Sequence, residues 1–183
     1  MAVGKQEHRI KLVIPTMEHK DVVWDFKQEF AINKEKYNLS GATNLDTCNC
    51  YEEWHQFVYD NMSEKTVRQG FTPATTYLAI DIRNERLIGI IDIRHRLSAL
   101  LLERLGNIGY CIRKSERQKG FGSEMLGLAL EKAKELDIKK VMISCRKNNI
   151  ASAKVIENNG GILESEVQDG VNILQRYWID LSK

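Results

Sequence analysis

The sequence predicts a single α/β (α+β) domain in which helices flank a mixed, mostly antiparallel central sheet. Three observations favour this fold class. The chain has 183 residues, about the length of one domain. Segments with the two-residue period of strands alternate with segments that have the 3.6-residue period of helices. Only two prolines occur, so no Pro-rich linker separates two domains. The predicted order of elements is β-α-α-β-β-β-α-β-α-β-β.

The opening part of the chain contains one predicted strand and two predicted helices. The strand Ile10–Ile14 ends at Pro15, because proline has no backbone N–H to donate. Apolar residues at helical spacing predict a helix at Glu18–Lys36 and a shorter one at Cys50–Met62. The polar segment Gly41–Asn49 between them predicts a loop.

The middle of the chain changes to the period of strands. Segments rich in β-formers, Thr75–Ile82 and Leu87–Ile93, flank a polar tetrapeptide and predict a hairpin. A further strand is predicted at Asn107–Ile112. The clearest helix is Gly122–Leu136, whose apolar residues fall on one stripe.

The last part predicts a strand, a short helix and a closing hairpin. These elements are Lys140–Cys145, Ile150–Asn158, Leu163–Gln168 and Val171–Ile179. The pair Gly160–Gly161 ends the short helix, and Asp169–Gly170 is a favoured turn dipeptide. The exposed edge of this hairpin can pair with a second copy, so a homodimer is one assembly that the sequence allows.

The charge balance argues against several classes of protein. The 27 basic and 25 acidic residues give a net charge of +2, which disfavours a nucleic-acid or membrane-surface partner. The longest apolar run, Leu87–Ile91, is too short to cross a bilayer. Residues 1–8 contain no apolar signal segment. We therefore expect a cytoplasmic protein with no membrane and no nucleic-acid partner.

The cysteines predict free thiols in a reducing compartment. Cys48, Cys50, Cys111 and Cys145 include no C-x-x-C pair. The Cys48-x-Cys50 pair with His55 nearby offers fewer ligands than the four of a closed zinc site. No metal is expected.

Residues 112–123 carry the clearest chemistry, because a strand end, a basic turn and two glycines lead into the amphipathic helix. Helix N-termini bind anions through unpaired N–H groups. Gly120 and Gly122 have no Cβ, so their backbone can approach a phosphate closely. The basic residues of the turn are Arg113, Lys114, Arg117 and Lys119. The alternative is an ordinary helix start with a solvated basic loop.

Two common nucleotide motifs do not match this segment. Gly120 is followed by Phe121, which is not the G-K-[ST] end of a P-loop. Met125 occupies the position where a dinucleotide fingerprint needs its third glycine.

Two motifs resemble those of the GNAT superfamily of N-acetyltransferases. Arg117–Gly122 resembles the R/Q-x-x-G-x-G/A signature and lies, as in that family, between a strand and a long helix. Asn149–Gly160 resembles the second motif, N-x-x-S followed by a helix and a glycine. The resemblance implies one GNAT-like domain over residues 1–183, with strands four and five splayed apart. Residues 1–74 are then the variable acceptor-side segment and residues 75–181 the cofactor-binding core.

The resemblance also implies an activity. It predicts an acetyl-CoA-dependent N-acetyltransferase that moves an acetyl group to a primary amine of a small molecule, peptide or protein by direct attack. Ile156 occupies the position where the family often has a tyrosine acid. For that reason a non-catalytic acyl-CoA-binding or interaction module on the same fold stays as the alternative.

The cofactor-binding residues are carried over from the family motifs. They are Cys111, Ile112, Arg117, Gln118, Lys119, Gly120, Phe121, Gly122, Ser123, Asn149 and Ser152. The resemblance assigns the pyrophosphate to the loop amides and the pantetheine to the backbone at Ile112. A backbone N–H at residues 110–112 would polarise the thioester carbonyl. Ser152 has the alternative role of a helix cap.

Three residues are catalytic candidates: Tyr110, Asp92 and His95. Tyr110 is a substitute for the missing acid, as is Tyr177, and both also suit the core or a groove wall. Asp92 interrupts an apolar strand and is a candidate base, with pairing to an arginine (Arg94 or Arg113) as the alternative. His95 is a second candidate base, or a surface or capping residue.

The acceptor walls are expected from the first two helices and the loop Leu97–Leu105. Four large aromatic residues either line this site or belong to the core: Phe26, Phe30, Trp54 and Trp178.

Overall fold

The computed structural model describes residues 7–35 and 39–182. Its helices and strands follow the predicted order. The strands are β1 (Ile10–Val13), β2 (Ala74–Asp81), β3 (Leu87–Arg94), β4 (Ile108–Ile112), β5 (Lys140–Arg146), β6 (Ile162–Asp169) and β7 (Asn172–Asp180). The helices are α1 (Lys20–Ile32), α2 (Tyr51–Asp60), α3 (Phe121–Glu135) and α4 (Ile150–Asn158).

Most boundaries agree with the prediction to within two residues, and three larger differences concern α1, residues 101–105 and the last turn. A 3₁₀ turn at Met17–His19 precedes α1, which ends four residues before the predicted Lys36, and Lys36 itself lies outside the described residues. Residues 101–105 form a short π-helical turn instead of a loop. The last hairpin turns at residues 170–171, because Asp169 still pairs with Asn172.

The strands form two antiparallel sheets instead of one mixed sheet. The first has the order β1-β2-β3-β4 and the second the order β5-β7-β6. All described pairings between strands are antiparallel. The fold class is confirmed, with this division of the central sheet as the correction. β6 forms the outer edge of the second sheet, so pairing with another copy stays a prediction.

The two sheets are joined at the start of β4. Gly106 forms an isolated bridge with Ile143. The Asn107 backbone N–H donates to Met142 O (2.7 Å), and its side chain accepts from Met142 N (2.9 Å). Past this junction, no strand pairing between β4 and β5 is found in the described ranges, and we call the space between them the β4–β5 gap.

Two hydrophobic cores lie on opposite faces of the first sheet. The apolar stripe of α3 packs against one face, beside residues such as Ile91 and Ile143. Helices α1 and α2 pack on the other face. Phe26, Phe30 and Trp54 are fully buried there, so they belong to the core and do not line a pocket. Trp178 is half-buried.

In the part of the chain that the structure describes, no helix is both long enough and apolar enough to cross a membrane.

Candidate active site

The N-terminus of α3 presents a row of unsatisfied backbone donors. Gly120 caps the helix with φ +83°, and Gln118 is also left-handed at φ +61°. The N–H groups of residues 118–123 have no acceptor among the described residues, whereas Glu124 N already donates to Gly120 O (3.2 Å). This loop therefore offers the kind of concave N–H arrangement that binds phosphate groups.

The two glycines of the loop have different roles. Gly120 supplies the left-handed conformation, which L side chains rarely adopt. A Cβ atom on Gly122 would lie 3.1 Å from Val155 Cγ2. Gly122 therefore allows close packing of α3 against α4, and its close approach to a phosphate stays a prediction.

Arg113 does not face a ligand, which corrects the predicted cluster of basic residues. It is 2% exposed, and its Nη1 atom lies 2.7 Å from Asp25 Oδ2 and 3.1 Å from Glu29 Oε2. Both carboxylates belong to α1. Glu29 also accepts from Ser115 N (2.9 Å), so α1 contacts both the end of β4 and the turn that follows it.

Two further basic residues are also neutralised. Arg117 pairs with Glu35 (2.7 Å), which holds the pKa of that carboxyl below its usual value. Lys119 pairs with Glu116 (3.0 Å). Of the four basic residues of the turn, Lys114 alone forms no ion pair with another described residue. Ion pairs therefore reduce the positive charge of the turn, and the N–H groups of the helix N-terminus add to what remains.

The register of β4 determines which of its backbone groups face the β4–β5 gap. Asp92 pairs with Gly109 and Ile90 with Cys111, and Arg113 N donates to Ile88 O. Because hydrogen-bonded pairs alternate in an antiparallel ladder, the odd-numbered residues of β4 bond to β3. The backbone groups of Tyr110 and Ile112 therefore face the gap.

Neither the backbone groups nor the side chain of Cys111 faces the β4–β5 gap. Its backbone pairs with β3, and its side chain packs in the α1–α2 core. Burial raises the pKa of its thiol to about 12, so the thiolate required of a nucleophile is not formed at neutral pH.

Tyr110 reaches across the gap to α4. Its hydroxyl lies 2.8 Å from Ser152 Oγ, and burial raises its pKa to about 12. The α4 cap is Asn149, whose side chain accepts from Ser152 N (3.2 Å), so Ser152 is not the cap. Tyr177 lies in the core and donates to Gln175 Oε1 (3.0 Å).

Asp92 lies on the opposite face of the sheet, toward α1 and α2. Its Oδ2 atom pairs with Arg94 Nε (3.2 Å), so its partner is Arg94 and not Arg113. Its Oδ1 atom is buried and has no hydrogen-bond partner in the described ranges. Burial raises the pKa of Asp92, and the Arg94 guanidinium opposes this shift.

A cavity of about 470 Å³, which we call the acceptor pocket, adjoins Asp92 and Arg94. Its other walls come from the α1–α2 loop, from the end of α2 and from residues of the 70–74 and 98–105 segments. The predicted loop Leu97–Leu105 and helix α2, through Phe57, therefore contribute to the walls, whereas no described residue of α1 does. The α1–α2 loop and the 70–74 segment were not predicted.

His95 does not line this pocket. Its Nε2 atom lies 2.8 Å from Thr75 Oγ1, and burial lowers its pKa. Among the described residues, the structure brings Asp92 and not His95 to the pocket.

Sequence reasoning missed two glycines that shape the site. Gly41 has φ +77°, and a Cβ atom there would collide with Gly109 O. A Cβ atom on Gly109 would lie 2.7 Å from Asp92 Oδ1. A glycine inside a strand often marks a close backbone approach, which is the signal that points to Gly109.

No group of three or more His, Cys, Asp or Glu side chains in the described part of the chain is arranged to hold a metal ion.

The family follows from a match of residues 11–162 to the model of the acetyltransferase (GNAT) domain. The chain therefore belongs to the GNAT family of acetyltransferases. This confirms the resemblance of the two motifs and the predicted acyltransferase class, and acetyl-CoA is the acetyl donor that the family implies. A comparison with curated proteins gives no match.

Solved acetyltransferase structures share the fold. A ribosomal-protein α-N-acetyltransferase, RimL, in complex with coenzyme A is 20% identical over 96% of each chain, with a TM-score of 0.68. A microcin self-immunity acetyltransferase in complex with acetyl-CoA and AMP is 18% identical over 96% of this chain and 94% of its own, with a TM-score of 0.68. Mutant forms of a spermidine/spermine N-acetyltransferase from Vibrio cholerae are 14% identical over 95% of each chain, with a TM-score of 0.64.

Proposed function

We propose that this protein transfers an acetyl group from acetyl-CoA to a primary amine by direct attack of that amine. The observation that carries the proposal is the row of unsatisfied N–H groups at residues 118–123, next to a free backbone edge on β4. A phosphorylated donor with an extended, hydrogen-bonding arm fits this pair of features.

The residues of the gap would hold acetyl-CoA, which supplies the activated thioester. The N–H groups of residues 118–123 would bind the pyrophosphate. Ile112 O already accepts from Arg117 Nε (3.0 Å), which leaves Ile112 N–H and both backbone groups of Tyr110 for the pantetheine and the thioester carbonyl. Asn149 contributes mainly by fixing the start of α4.

Asp92 and Tyr110 have complementary proton-transfer roles in this proposal. Asp92 Oδ1 is the acceptor for the proton that an ammonium group loses before attack. The Tyr110 hydroxyl stays protonated at neutral pH, because burial raises its pKa to about 12, so it can donate a proton to a leaving thiolate. The protonated Cys111 thiol supports direct attack instead of a covalent enzyme intermediate.

The role of the donor loop is tested by Gly120→Ala with Gly160→Ala as its matched control. Both glycines have φ +83°, so both variants carry similar backbone strain. Relief of that strain in Gly120→Ala rotates loop peptides away from the ligand, and we expect CoA affinity to fall about 10-fold, the equivalent of about 1.4 kcal/mol. Isothermal titration with CoA measures the change.

Gly160 lies after α4, with nothing near its side-chain position, so Gly160→Ala should bind CoA as the wild type does. Equal CoA affinity in the two folded variants would contradict the assignment of the loop.

The alternative function is a non-catalytic acyl-CoA-binding or interaction module. Ile156, at the position of the family's usual tyrosine, is fully buried in the core and supplies no acid. Release of free thiol from acetyl-CoA across a panel of amines separates the two functions. CoA binding without release for any amine would favour the module.

We propose the cytoplasm as the location, which the four free thiols support. The division into an acceptor-side segment (1–74) and a cofactor-binding core (75–181) is also a proposal. Its support is that loop residues such as Gly41 line the pocket, while the N–H row lies within the core segment.

A further inference from the structure

The acceptor pocket offers one buried, unsatisfied anionic contact. Asp92 is 3% exposed, and Arg94 occupies only its Oδ2 atom. Oδ1 has no partner in the described ranges. It occupies space that a side chain at position 109 would fill, because Gly109 has no Cβ. A buried carboxylate oxygen without a donor is costly, so a ligand N–H group at this point would satisfy it.

The same pocket has an apolar mouth. Three large apolar side chains that line it are well exposed: Phe71 at 56%, Leu100 at 57% and Leu105 at 47%. They come from two separate segments of the chain. Apolar surface that converges on one cavity is typical of a ligand site.

The distribution of charge favours a monoamine over a polyamine. Asp46 is the other carboxylate among the described lining residues, and it is exposed. Arg94 adds a positive charge beside Asp92. A second ammonium group on the acceptor would therefore have only the exposed carboxylate of Asp46 as an anionic partner.

We propose that the acetyl acceptor is a small primary monoamine that carries one apolar group of aralkyl or branched-alkyl type. This inference rests on the proposed function. The ammonium group binds Asp92 Oδ1, and the apolar group packs against Phe71, Leu100 and Leu105. The cavity volume of about 470 Å³ lies in the range of small-molecule sites.

The test compares phenethylamine, ethylamine, spermidine and a serine-initiated peptide on the full chain saturated with CoA or acetyl-CoA. Titration calorimetry with the CoA complex measures amine binding, and thiol release from acetyl-CoA measures kcat/KM. We expect kcat/KM for phenethylamine to exceed that for spermidine and for the peptide at least about 10-fold, from burial of the apolar group.

The matched variants are Leu100→Ser and Leu102→Ser. Both leucines are exposed in the same segment, but only Leu100 lines the pocket. Leu100→Ser should raise the KM and the dissociation constant for phenethylamine about 5–10-fold and leave those for ethylamine unchanged. Leu102→Ser should leave both amines unchanged.

Preference for spermidine or the peptide, no binding of phenethylamine, or equal behaviour of the two variants would overturn the inference. Failure of the proposed function gives a different pattern. In that case no amine is acetylated, while phenethylamine still binds to the CoA complex, or to the free protein where CoA does not bind, and only Leu100→Ser weakens that binding.

Discussion

At the scale of single residues, Asp92 combines burial with a carboxylate oxygen, Oδ1, that has no hydrogen-bond partner in the described ranges. Its raised pKa makes it a stronger base than an exposed carboxylate, and Arg94 fixes its orientation. Gly109 is part of the same arrangement, because any side chain there would displace Oδ1.

Asp92→Asn is predicted to lower kcat by roughly 10²–10⁴-fold with little change in CoA affinity, since an amide cannot accept the proton. The wild-type kcat/KM should rise with pH as Asp92 ionises and level off above its pKa, which burial places above the ordinary value. Asp92→Asn should lack this acidic limb. A pH–rate profile of both proteins measures it.

The control for that profile is Asp81→Asn. Asp81 is also a buried strand aspartate paired with a neighbouring arginine, Arg83, but it does not line the pocket. Its variant should keep the wild-type acidic limb. An unchanged profile in Asp92→Asn would remove Asp92 from the reaction.

Tyr110→Phe is predicted to lower kcat at the small end of the roughly 10²–10⁴-fold range of general acid catalysis, because a thiolate with a pKa near 8.5 leaves with little help. Steady-state kinetics with saturating amine measures the effect. Tyr51→Phe is the comparison variant. Burial raises the pKa of Tyr51 to about 12 as well, and its hydroxyl donates to Thr16 O far from the gap.

If both tyrosine variants lose the same activity, the loss reflects stability and not proton donation by Tyr110.

At the scale of elements, carboxylates of α1 and of the segment just after it contact the turn between β4 and α3. Glu29 contacts Arg113 Nη1, Ser115 N and Ser115 Oγ, and Glu35 pairs with Arg117. These contacts connect the opening segment to the turn that we propose as the donor site, so a helix outside the two motifs holds this turn in place.

Glu29→Gln should raise the KM for acetyl-CoA several-fold, about 3–10-fold for the loss of a charge-assisted contact, with kcat nearly unchanged. Initial-rate kinetics with varied acetyl-CoA separates the two constants. Glu52→Gln removes an exposed pair with Lys20 that joins α1 and α2, and it should change neither constant. A fall in kcat alone for Glu29→Gln would contradict a positioning role.

The elements themselves were largely readable from the sequence, because periodicity and caps are local. The helix Gly122–Leu136 was predicted within one residue of α3, and Ile150–Asn158 coincides with α4. The ion pairs of Arg113 with α1 were not readable, because they join residues more than 80 positions apart. The sequence alone therefore does not show that Arg113 points away from the predicted basic cluster.

The same limit explains what was missed in the site. Asp92 stood out because a charge interrupts an apolar strand, which is a local signal. Its free oxygen, the role of Gly41 and the short turn at residues 101–105 depend on packing between distant segments. The sequence suggests Tyr110 as an acid, but only the folded structure shows that its hydroxyl contacts Ser152.

At the scale of the whole molecule, Asn107 joins the two sheets. Its side chain accepts from Met142 N and donates to Arg94 O (3.2 Å), and the residue is 2% exposed. The opening of the β4–β5 gap depends on this junction, since the strand pairing described here ends beside it.

Asn107→Ala should lower the free energy of unfolding by about 2–3 kcal/mol, because it leaves the buried Met142 N–H without an acceptor. Urea denaturation measures the change. CoA affinity should fall as well, since the width of the gap is no longer fixed. A variant as stable as the wild type would show that backbone contacts alone hold the sheets together.

The proposed donor site and the acceptor pocket lie toward different faces of the first sheet. Tyr110 lies on the α3 side of the first sheet and Asp92 on the α1–α2 side, so the two side chains approach the β4 edge from opposite faces. Donor and acceptor can then arrive in either order, and one product can leave while the other is still bound. An unreactive amine analogue should therefore fail to compete with acetyl-CoA. An inhibitor of the donor site and an inhibitor of the acceptor pocket should be able to bind the same enzyme molecule.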